Sequence, residues 1–443
     1  MNRCWQSARH WSASAARESS PCWAWNNRFL RVRRPGARGN NGACPYLPMT
    51  EPIRKMLLSL ADSPIRRRIP SSTSGVPLIK TAARLISYAL LGKSGKQPLD
   101  IAKVRKVLIL RNDKIGDMIV TSALLRELKK NYPHWQIDVA ASSANRDVIA
   151  DNPHVNEILI WDKQPLLRDL RTTIADLRRR RYDVIFNPYN RFSIPLLLRI
   201  KWLGARYLTG FAIPKYGTST AKLGMFDHTV QCDRSRHILH SFFATFEEFG
   251  LRDIDMRYEL FGVDAHAARV DAACDSLLRT HEGLFCLNFQ GSNAQRTVSV
   301  ADAQRCCAAL AARYPHHALL VIAAPGTEAR AAEIVRGAGH ANVMSAPPTG
   351  HILELAALIR RCELVLSPDT SVIHIASAYD KKIVGYYIRT DNYRWFYPAS
   401  RHYRVILAPG LTLATVSDVD TLAAVEQLME GAGPAQETVQ AAG

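Results

Sequence analysis

Short apolar runs of strand length alternate with helix-length segments along most of this chain, and this alternation limits the possible folds more than any other feature. It occurs in two series, one over residues 104–203 and one over residues 265–387. Apolar runs of roughly four to eight residues are typical of strands buried on both faces of a parallel sheet, and the intervening helices supply the crossovers. The sequence therefore predicts an α/β protein with two parallel sheets of the same construction.

The individual elements follow from the same pattern. Strands are predicted at residues 104–110, 137–141, 183–187, 284–289, 318–323, 363–366 and 382–387, and helices at 116–132, 168–181, 194–203, 238–250, 265–279, 301–314, 328–337, 352–361 and 370–378. Ligands of open parallel sheets bind beyond the carboxyl ends of the strands. A cleft between the two sheets is therefore the expected binding site.

The length of 443 residues and the 47% of hydrophobic residues are sufficient for two cores. We predict an N-terminal extension over residues 1–100, a first domain over 101–262, a second over 263–432 and a tail over 433–443. Within the extension, residues 1–48 have four tryptophans, eight arginines and a single acid, without any period. This composition indicates either a disordered arm or an upstream extension of the reading frame. Residues 77–93 have the pattern of a basic amphipathic helix, which would lie on an anionic bilayer or pack against the first domain.

The formal charge of +19 and the pI near 9.7 indicate an anionic partner. Nucleic acid, an anionic membrane surface and a phosphorylated substrate all satisfy this condition. No apolar stretch reaches the length of a membrane-spanning helix, and no secretory signal is apparent. The nine cysteines have neither zinc-site nor disulfide-framework spacing. These features predict a cytoplasmic protein without a structural metal.

The first polar loop, RNDKIGD at residues 111–117, follows the first strand and contains Lys114, Gly116 and Asp117. It lacks G-x-G-x-x-G, which argues against a dinucleotide cofactor. Gly116 permits another chain or a ligand to approach closely. Asp117 lies in the first turn of the following helix, where an aspartate is either a cap or a functional carboxylate.

Two further loops follow strands of the second series. In SPDTSVIH, residues 367–374, the backbone N–H groups of Thr370, Ser371 and Val372 open a helix and can bind a phosphate, with Asp369 and His374 beside it. An ordinary helix start would have the same appearance. In QGSNAQRT, residues 290–297, Ser292 and Arg296 can hold phosphate oxygens, although many strand-to-helix loops have this composition.

These loops resemble one family in particular. Residues 107–137 (VLILRNDKIGDMIVTSALLRELKKNYPHWQI) resemble the opening of glycosyltransferase family 9, the heptosyltransferase family. Residues 367–387 (SPDTSVIHIASAYDKKIVGYY) are similar to its nucleotide-sugar motif, and residues 387–398 (YIRTDNYRWFYP) to the segment that follows. The resemblance covers roughly residues 104–430.

The resemblance implies a GT-B fold, in which two Rossmann-like domains face each other across a cleft. The first would bind the acceptor and the second a nucleotide sugar, here ADP-heptose. Asp117 matches the general base, and Asp369 matches a residue that contacts sugar hydroxyls. The backbone from Thr370 to Val372 matches the diphosphate cradle, while Ser292 and Arg296 fall where the family has phosphate ligands.

The sequence departs from this family at three positions. Ser371 replaces a usual Gly, which would alter how closely the diphosphate approaches. Ser122 replaces a common Pro after Thr121. No aromatic residue follows Arg296, which leaves the donor sugar open.

The reaction implied is an inverting displacement without a metal ion or cofactor, because no strand-following loop contains Asp-x-Asp. The product would be a lipopolysaccharide core or related surface glycan, formed at the cytoplasmic face of the inner membrane. Basic residues of the first half would suit an anionic glycolipid, although a solvated helix surface also explains Arg178 to Arg181. The alternatives are a GT-B transferase that uses another nucleotide sugar for capsule or O-antigen, and a basic nucleic-acid-binding protein.

Overall fold

A computed structural model of the protein describes residues 99–189, 193–212, 214–215, 218–219, 225–388, 393–431 and 436–439. All of them belong to one compact unit, Val76–Gly443. The arm at 1–48, the helix predicted at 77–93 and most of the tail lie outside the described residues.

The first half of the unit is a six-stranded sheet with helices on both faces. Its strands are β1 (Lys106–Arg111), β2 (Gln136–Ala141), β3 (Glu157–Ile160), β4 (Val184–Asn187), β5 (Tyr207–Phe211) and β8 (His228–Val230), with a hairpin of β6 (Pro214–Lys215) and β7 (Thr218–Ser219) before β8. The helices are α1 (Ile115–Asn131), α2 (Leu166–Arg171), α3 (Thr173–Arg179), α4 (Ile194–Leu203) and α5 (Ile238–Glu247). The strand order is β3-β2-β1-β4-β5-β8, and every pair is parallel.

The second half repeats this arrangement with seven strands. They are β9 (Gly283–Leu287), β10 (His317–Val321), β11 (Val343–Ser345), β12 (Leu364–Pro368), β13 (Lys382–Tyr387), β14 (Tyr403–Leu407) and β15 (Gln436–Val439). The helices are α6 (Val263–Leu278), α7 (Val300–Arg313), α8 (Glu328–Ala338), α9 (Ile352–Arg361), α10 (Ser371–Ala378) and α11 (Asp418–Met429). The order is β11-β10-β9-β12-β13-β14-β15, again all parallel. The predicted fold class is confirmed.

The strand order of each sheet reverses beside its first strand, between β1 and β4 and between β9 and β12. Crossovers leave these two points in opposite directions, so a crevice opens beyond the carboxyl ends of the strands there. The loops after β1, β9 and β12 contain the three motifs singled out from the sequence.

The three largest clusters of buried apolar side chains among the described residues hold the layers together. One contains residues of α1 and α5 on the first sheet and of α6, α9 and α10 on the second, so the two halves share a continuous core. A second lies under α7, α8 and α11, and a third under α2, α3 and α4. Because the shared core runs through α1 and α10, the loops that precede these helices are fixed relative to each other.

Polar side chains set several of the helix starts. Each of these side chains accepts a hydrogen bond from a backbone N–H of the first turn. The polar residues of the strand-to-helix loops favour such caps. The capping residues are Ser193 for α4, Ser299 for α7, His351 for α9, Thr370 for α10 and Ser417 for α11.

The structure differs from the sequence prediction between residues 166 and 179. The predicted single helix is two helices, which break at Thr172, where φ is −108° and ψ is −93°. The side chain of Gln164 donates hydrogen bonds to the hydroxyls of Thr172 and Thr173, at 3.2 and 3.0 Å. This tertiary contact stabilises the break.

The sequence patterns also missed several elements, namely β3, β5, β8, β11, β14, β15 and α11. Most of the missed strands have only three to five residues, too few to show a period. In β14 the run is interrupted by Arg404, which is only 2% exposed and donates to Gln427 Oε1 at 2.8 Å. The edge strand β15 lies beyond residue 432, where the predicted second domain ends.

Candidate active site

The loops after β1, β9 and β12 line one cleft of about 1040 Å³ between the two sheets. Every site residue predicted from the sequence lies in its wall. These residues are Lys114, Gly116, Asp117, Ser292, Arg296, Asp369, Thr370, Ser371, Val372 and His374. The structure therefore brings together three motifs that are far apart in the chain.

Asp117 is the third residue of α1 and its side chain is 18% exposed. The N-cap of this helix is Lys114, and neither Lys114 nor Asp117 provides a side-chain cap. The N-cap interpretation of Asp117 is therefore wrong. A carboxylate in the first turn is stabilised by the helix dipole, and here it also faces the cleft.

Arg111, the last residue of β1, holds Asp117 in place from below. Its Nε donates to the backbone oxygen of Asp117 at 3.1 Å and to Thr121 Oγ1 at 2.8 Å. One Nη lies 3.7 Å from Asp117 Oδ1, and the other lies 3.2 Å from Asp113 Oδ2. The guanidinium is buried over the ring of Phe242, at 5.3 Å. Sequence reasoning missed Arg111, although a charged residue at the end of a buried strand was a usable signal.

Asp113 is the second carboxylate of this loop, on the other side of Arg111. Burial raises its pKa, the charge of Arg111 opposes this effect, and the nearby charge of Asp117 adds to it. Its Oδ1 is enclosed and has no hydrogen-bond partner among the described residues. The two carboxylates therefore share one arginine but lie in different surroundings.

Gly116 is the point where α1 touches α10. A Cβ atom at this position would lie 2.7 Å from Cδ2 of His374 and 3.6 Å from Cα of Ser371. The close approach expected at Gly116 is thus made by the helix of the second motif. It places the Asp117 turn directly beside the N-terminus of α10.

His374 is 4% exposed, and burial lowers its pKa to about 4. Its Nδ1 has no hydrogen-bond partner among the described residues. The rings of Tyr258 and Phe396 lie 6.1 and 6.2 Å from it. Behind Tyr258, His237 is also buried, and its pKa is lowered to about 3. Both imidazoles are therefore neutral at pH 7.

Arg296 and Asp369 join the loops after β9 and β12. Their Nη1 and Oδ2 atoms are 2.6 Å apart, and the two side chains are 24% and 20% exposed. The Arg296 loop is itself well ordered by hydrogen bonds, since Asn293 accepts from the Arg296 N–H at 3.1 Å. The sequence predicted both residues but not their pairing.

Asn288 links the same two loops from below. Its Nδ2 donates to Ser367 Oγ at 2.9 Å and lies 3.4 Å from Thr370 Oγ1, while its Oδ1 accepts from the Gln290 N–H at 3.0 Å. Thr370 Oγ1 in turn accepts from the Val372 N–H at 3.3 Å. A phosphate at this helix start would therefore compete with the Thr370 side chain for the Val372 N–H. Sequence reasoning missed Asn288.

The far end of the cleft is more apolar. It is lined by Ile322, Ala323, Ala324 and Pro325 after β10 and by Leu355 of α9. The two walls meet here, because His351 Nε2 lies 3.3 Å from Asp147 Oδ2. The imidazole of His351 also stacks on that of His266, at 4.2 Å.

Within the described ranges, no group of three or more His, Cys, Asp or Glu residues has the geometry of a metal site. The cations and the helix N-terminus named above can stabilise negative charge in this wall. Two parallel sheets that face each other across a cleft, with a carboxylate on one wall and a helix N-terminus on the other, define the GT-B architecture.

Comparison with known proteins gives the same class. The family model of glycosyltransferase family 9 (heptosyltransferase) matches residues 170–424. The lipopolysaccharide core heptosyltransferase OpsX of Haemophilus influenzae is 22% identical over 297 residues, which cover 66% of this chain and 81% of OpsX.

Two solved structures share the fold. The family 9 glycosyltransferase of Veillonella parvula has a TM-score of 0.60 at 17% identity, over 74% of this chain and 98% of that one. The ADP-heptose lipopolysaccharide heptosyltransferase II of E. coli has a TM-score of 0.57 at 18% identity, over 74% and 99%. This chain belongs to glycosyltransferase family 9 and is a glycosyltransferase.

Proposed function

We propose that the protein transfers heptose from ADP-heptose to a lipopolysaccharide core or a related surface glycan, with inversion and without a metal ion. The observation that carries this proposal is the contact of Gly116 with Ser371 and His374, which sets the partly exposed carboxylate of Asp117 beside the N-terminus of α10. A base and an anion site must be neighbours if a hydroxyl is to displace a diphosphate in one step.

In this mechanism Asp117 accepts the proton of the acceptor hydroxyl while its oxygen attacks the anomeric carbon. The bond from that carbon to the diphosphate oxygen breaks at the same time, and ADP leaves with the electron pair. A positioned general base contributes about 10² to 10⁴ in rate. Arg111 supports this role because it fixes the Asp117 turn through three contacts.

The donor would lie along the second half of the cleft, on the predicted domain 263–432. We assign the diphosphate to the N-terminus of α10, with Ser371, Val372 and Ser292 around it. Asp369 would contact sugar hydroxyls while it orients Arg296. The apolar wall of Ile322, Pro325 and Leu355 would suit the face of a nucleobase.

The acceptor would lie on the predicted domain 101–262, where Lys114 and Gly116 border the cleft beside Asp117. His374 is neutral and lines the cleft between the two substrates. In this role it packs against the reacting groups and excludes water without adding charge.

The test is turnover with a panel of nucleotide sugars, monitored by mass spectrometry, with heptose-deficient lipopolysaccharide as the acceptor. ADP-heptose should be used at least tenfold faster than UDP-sugars or GDP-sugars, and EDTA should leave the rate unchanged. Preference for a UDP-sugar would show that ADP-heptose is not the donor. Loss of activity in EDTA would contradict the metal-independent mechanism.

We further propose that the enzyme works at the cytoplasmic face of the inner membrane and contacts the lipid surface. Among the described residues, no helix is both long and apolar enough to cross a bilayer. Two large apolar side chains are exposed on neighbouring helices, Leu167 on α2 at 69% and Trp202 on α4 at 49%. Exposed arginines surround them, namely Arg168, Arg171, Arg178, Arg179 and Arg206. Tryptophan and arginine on one surface suit an anionic headgroup layer.

Co-sedimentation with vesicles tests this contact. Binding should require anionic phosphatidylglycerol, weaken with salt and fall in Trp202→Ser. A control is Val419→Ser, which changes an apolar residue on α11 that is even more exposed than Trp202. Equal loss in both variants would contradict the assignment of this surface.

A further inference from the structure

Arg234 lies in the wall of the cleft but on the loop between β8 and α5, outside the three loops already described. Its guanidinium carbon is 4.9 Å from the ring centroid of Trp395. Trp395 is 2% exposed, and its Nε1 donates to the backbone oxygen of Asp233 at 3.0 Å. Because Trp395 follows β13, this stack connects the two halves at the cleft.

The charge of Arg234 is not compensated by an ion pair with any described residue. Arg111 is paired with Asp113 and Asp117, and Arg296 with Asp369. The carboxylate of Asp233, next in sequence to Arg234, accepts instead from the N–H and the hydroxyl of Ser235. Arg234 is therefore an exposed arginine of the cleft wall without an ion-pair partner among the described residues.

The aromatic stack has a second consequence. An arginine over an indole ring keeps its charge, but its planar group is held in one orientation. A guanidinium fixed in this way can present two N–H groups at once to a phosphate or a carboxylate. Lys114, which also lines the cleft, is a flexible point charge without this geometry.

We propose that Arg234 binds an anionic oxygen group of a substrate, and that Trp395 is the residue that positions it. The inference rests on the proposed function, since it adds a binding residue to the same cleft. The anion belongs either to the diphosphate of the donor or to a phosphate or carboxylate of the acceptor. Arg234 comes from the first half and Trp395 from the second, so either substrate can reach it.

The experiment compares Arg234→Gln with Arg236→Gln. Arg236 is two residues further along the same loop, is exposed, and contacts His240 at 2.9 Å outside the cleft wall. Calorimetry measures the Kd of ADP and of inorganic pyrophosphate. Steady-state kinetics measures the KM of heptose-deficient lipopolysaccharide before and after removal of its phosphates by a phosphatase.

If Arg234 binds the donor diphosphate, Arg234→Gln should weaken both ADP and pyrophosphate at least tenfold, as expected for loss of hydrogen bonds between charged groups. If it binds the acceptor, those constants should stay within twofold while the acceptor KM rises at least tenfold. Phosphatase treatment of the acceptor abolishes the difference in KM between Arg234→Gln and the unmodified enzyme if the group is a phosphate. The difference in KM persists if the group is a carboxylate.

Two further variants separate positioning from charge. Arg234→Lys keeps the charge but not the planar stack. Its affinity for the anionic ligand should therefore lie between those of Arg234→Gln and the unmodified protein. Trp395→Phe keeps a ring under the guanidinium and should lose less affinity than Arg234→Gln.

The inference is overturned if Arg234→Gln matches Arg236→Gln for both diphosphate ligands and for the acceptor. That result is distinct from a failure of the proposed function, in which the unmodified protein itself would not turn over ADP-heptose. Pyrophosphate binding keeps the comparison valid for any nucleoside diphosphate donor.

Discussion

Asp117 is the residue on which the proposed chemistry depends most, and Arg111 is the residue that orients it. A carboxylate that acts as a base must be exposed to the acceptor and yet fixed in direction. The exposure comes from its place in the first turn of α1, and the fixed direction comes from the buried guanidinium beneath it. Asp113 shares the same arginine, but its Oδ1 is enclosed without a hydrogen-bond partner among the described residues, and burial raises its pKa.

Asp117→Asn should therefore retain the fold and the affinity for ADP-heptose while lowering kcat by about 10² or more. The change removes a base and almost no volume. Turnover under saturating substrates and calorimetric donor affinity are the measurements. Asp176→Asn, on the exposed surface of α3, is the control and should keep full activity. A kcat within a few-fold of the unmodified enzyme would mean that Asp117 is not the base.

Among the elements, the pair α1 and α10 decides the geometry of the site. Both helices start at the carboxyl end of a strand, and Gly116 lets the ring of His374 on α10 pack directly against α1. The donor motif and the acceptor motif are thereby held together by packing between the two helices and not only by ligands.

Gly116→Ala tests this contact. The added Cβ would lie 2.7 Å from the buried ring of His374, so the ring or the helices must shift. Overpacking of this kind costs about 1–3 kcal/mol of unfolding free energy, more than the helix propensity gained, about 1 kcal/mol. Chemical denaturation and turnover should both show the loss. Gly410→Ala, which has open space around it, should be close to neutral. Unchanged activity in Gly116→Ala would argue against the need for this close approach.

The loops after β9 and β12 are coupled through the pair of Arg296 and Asp369. Arg296→Ala should weaken ADP binding by about 1.5–3 kcal/mol if the guanidinium reaches the diphosphate. Asp369→Ala releases Arg296 from its partner, so ADP affinity should stay the same or increase while the intact donor binds more weakly. Calorimetry on both variants and on the double variant measures the coupling. Equal loss of both ligands in Asp369→Ala would show that the donor site is assigned incorrectly.

For the whole molecule, the buried neutral imidazoles of His237 and His374 link stability to pH. Their pKa values are lowered to about 3 and about 4, while an unfolded histidine titrates near 6.5. A lowered histidine pKa means that the unfolded chain binds more protons between these values. The contribution of the two histidines to the unfolding free energy is thus fully present above about pH 6.5. It is lost as the pH falls towards the pKa values of the folded state.

The unfolding free energy should accordingly fall between pH 6.5 and pH 4.5, by up to about 1.4 kcal/mol per pH unit for each of the two groups. Urea denaturation at several pH values measures this slope. His237→Gln should reduce it, whereas His402→Gln, at an exposed position, should leave it unchanged. A flat profile over this interval would show that the two rings are not buried in neutral form. Carboxyls with a lowered pKa, such as Asp255 with a pKa of about 2, change the unfolding free energy only at lower pH.

The sequence by itself determined the two parallel sheets and the three loops that line the cleft. Apolar runs and helical spacing are local signals, since strand and helix contacts repeat every two to four residues. Once the sheets were known to be parallel, the edge where the loops meet followed from the topology. The short edge strands escaped because they depend on neighbours that are distant in sequence. The break at Thr172 escaped because it depends on particular hydrogen bonds from Gln164, which no period shows.

Only the tertiary structure decided which of the site residues are partners. Arg296 meets Asp369 across 73 positions, and Trp395 meets Asp233 across 162. No period links such positions, so Asn288 and Arg234 were not recognisable as parts of the site. The physical reason is that the sequence encodes which side chains are buried and charged, whereas the charge left uncompensated in the cleft depends on pairings made when the two halves pack together.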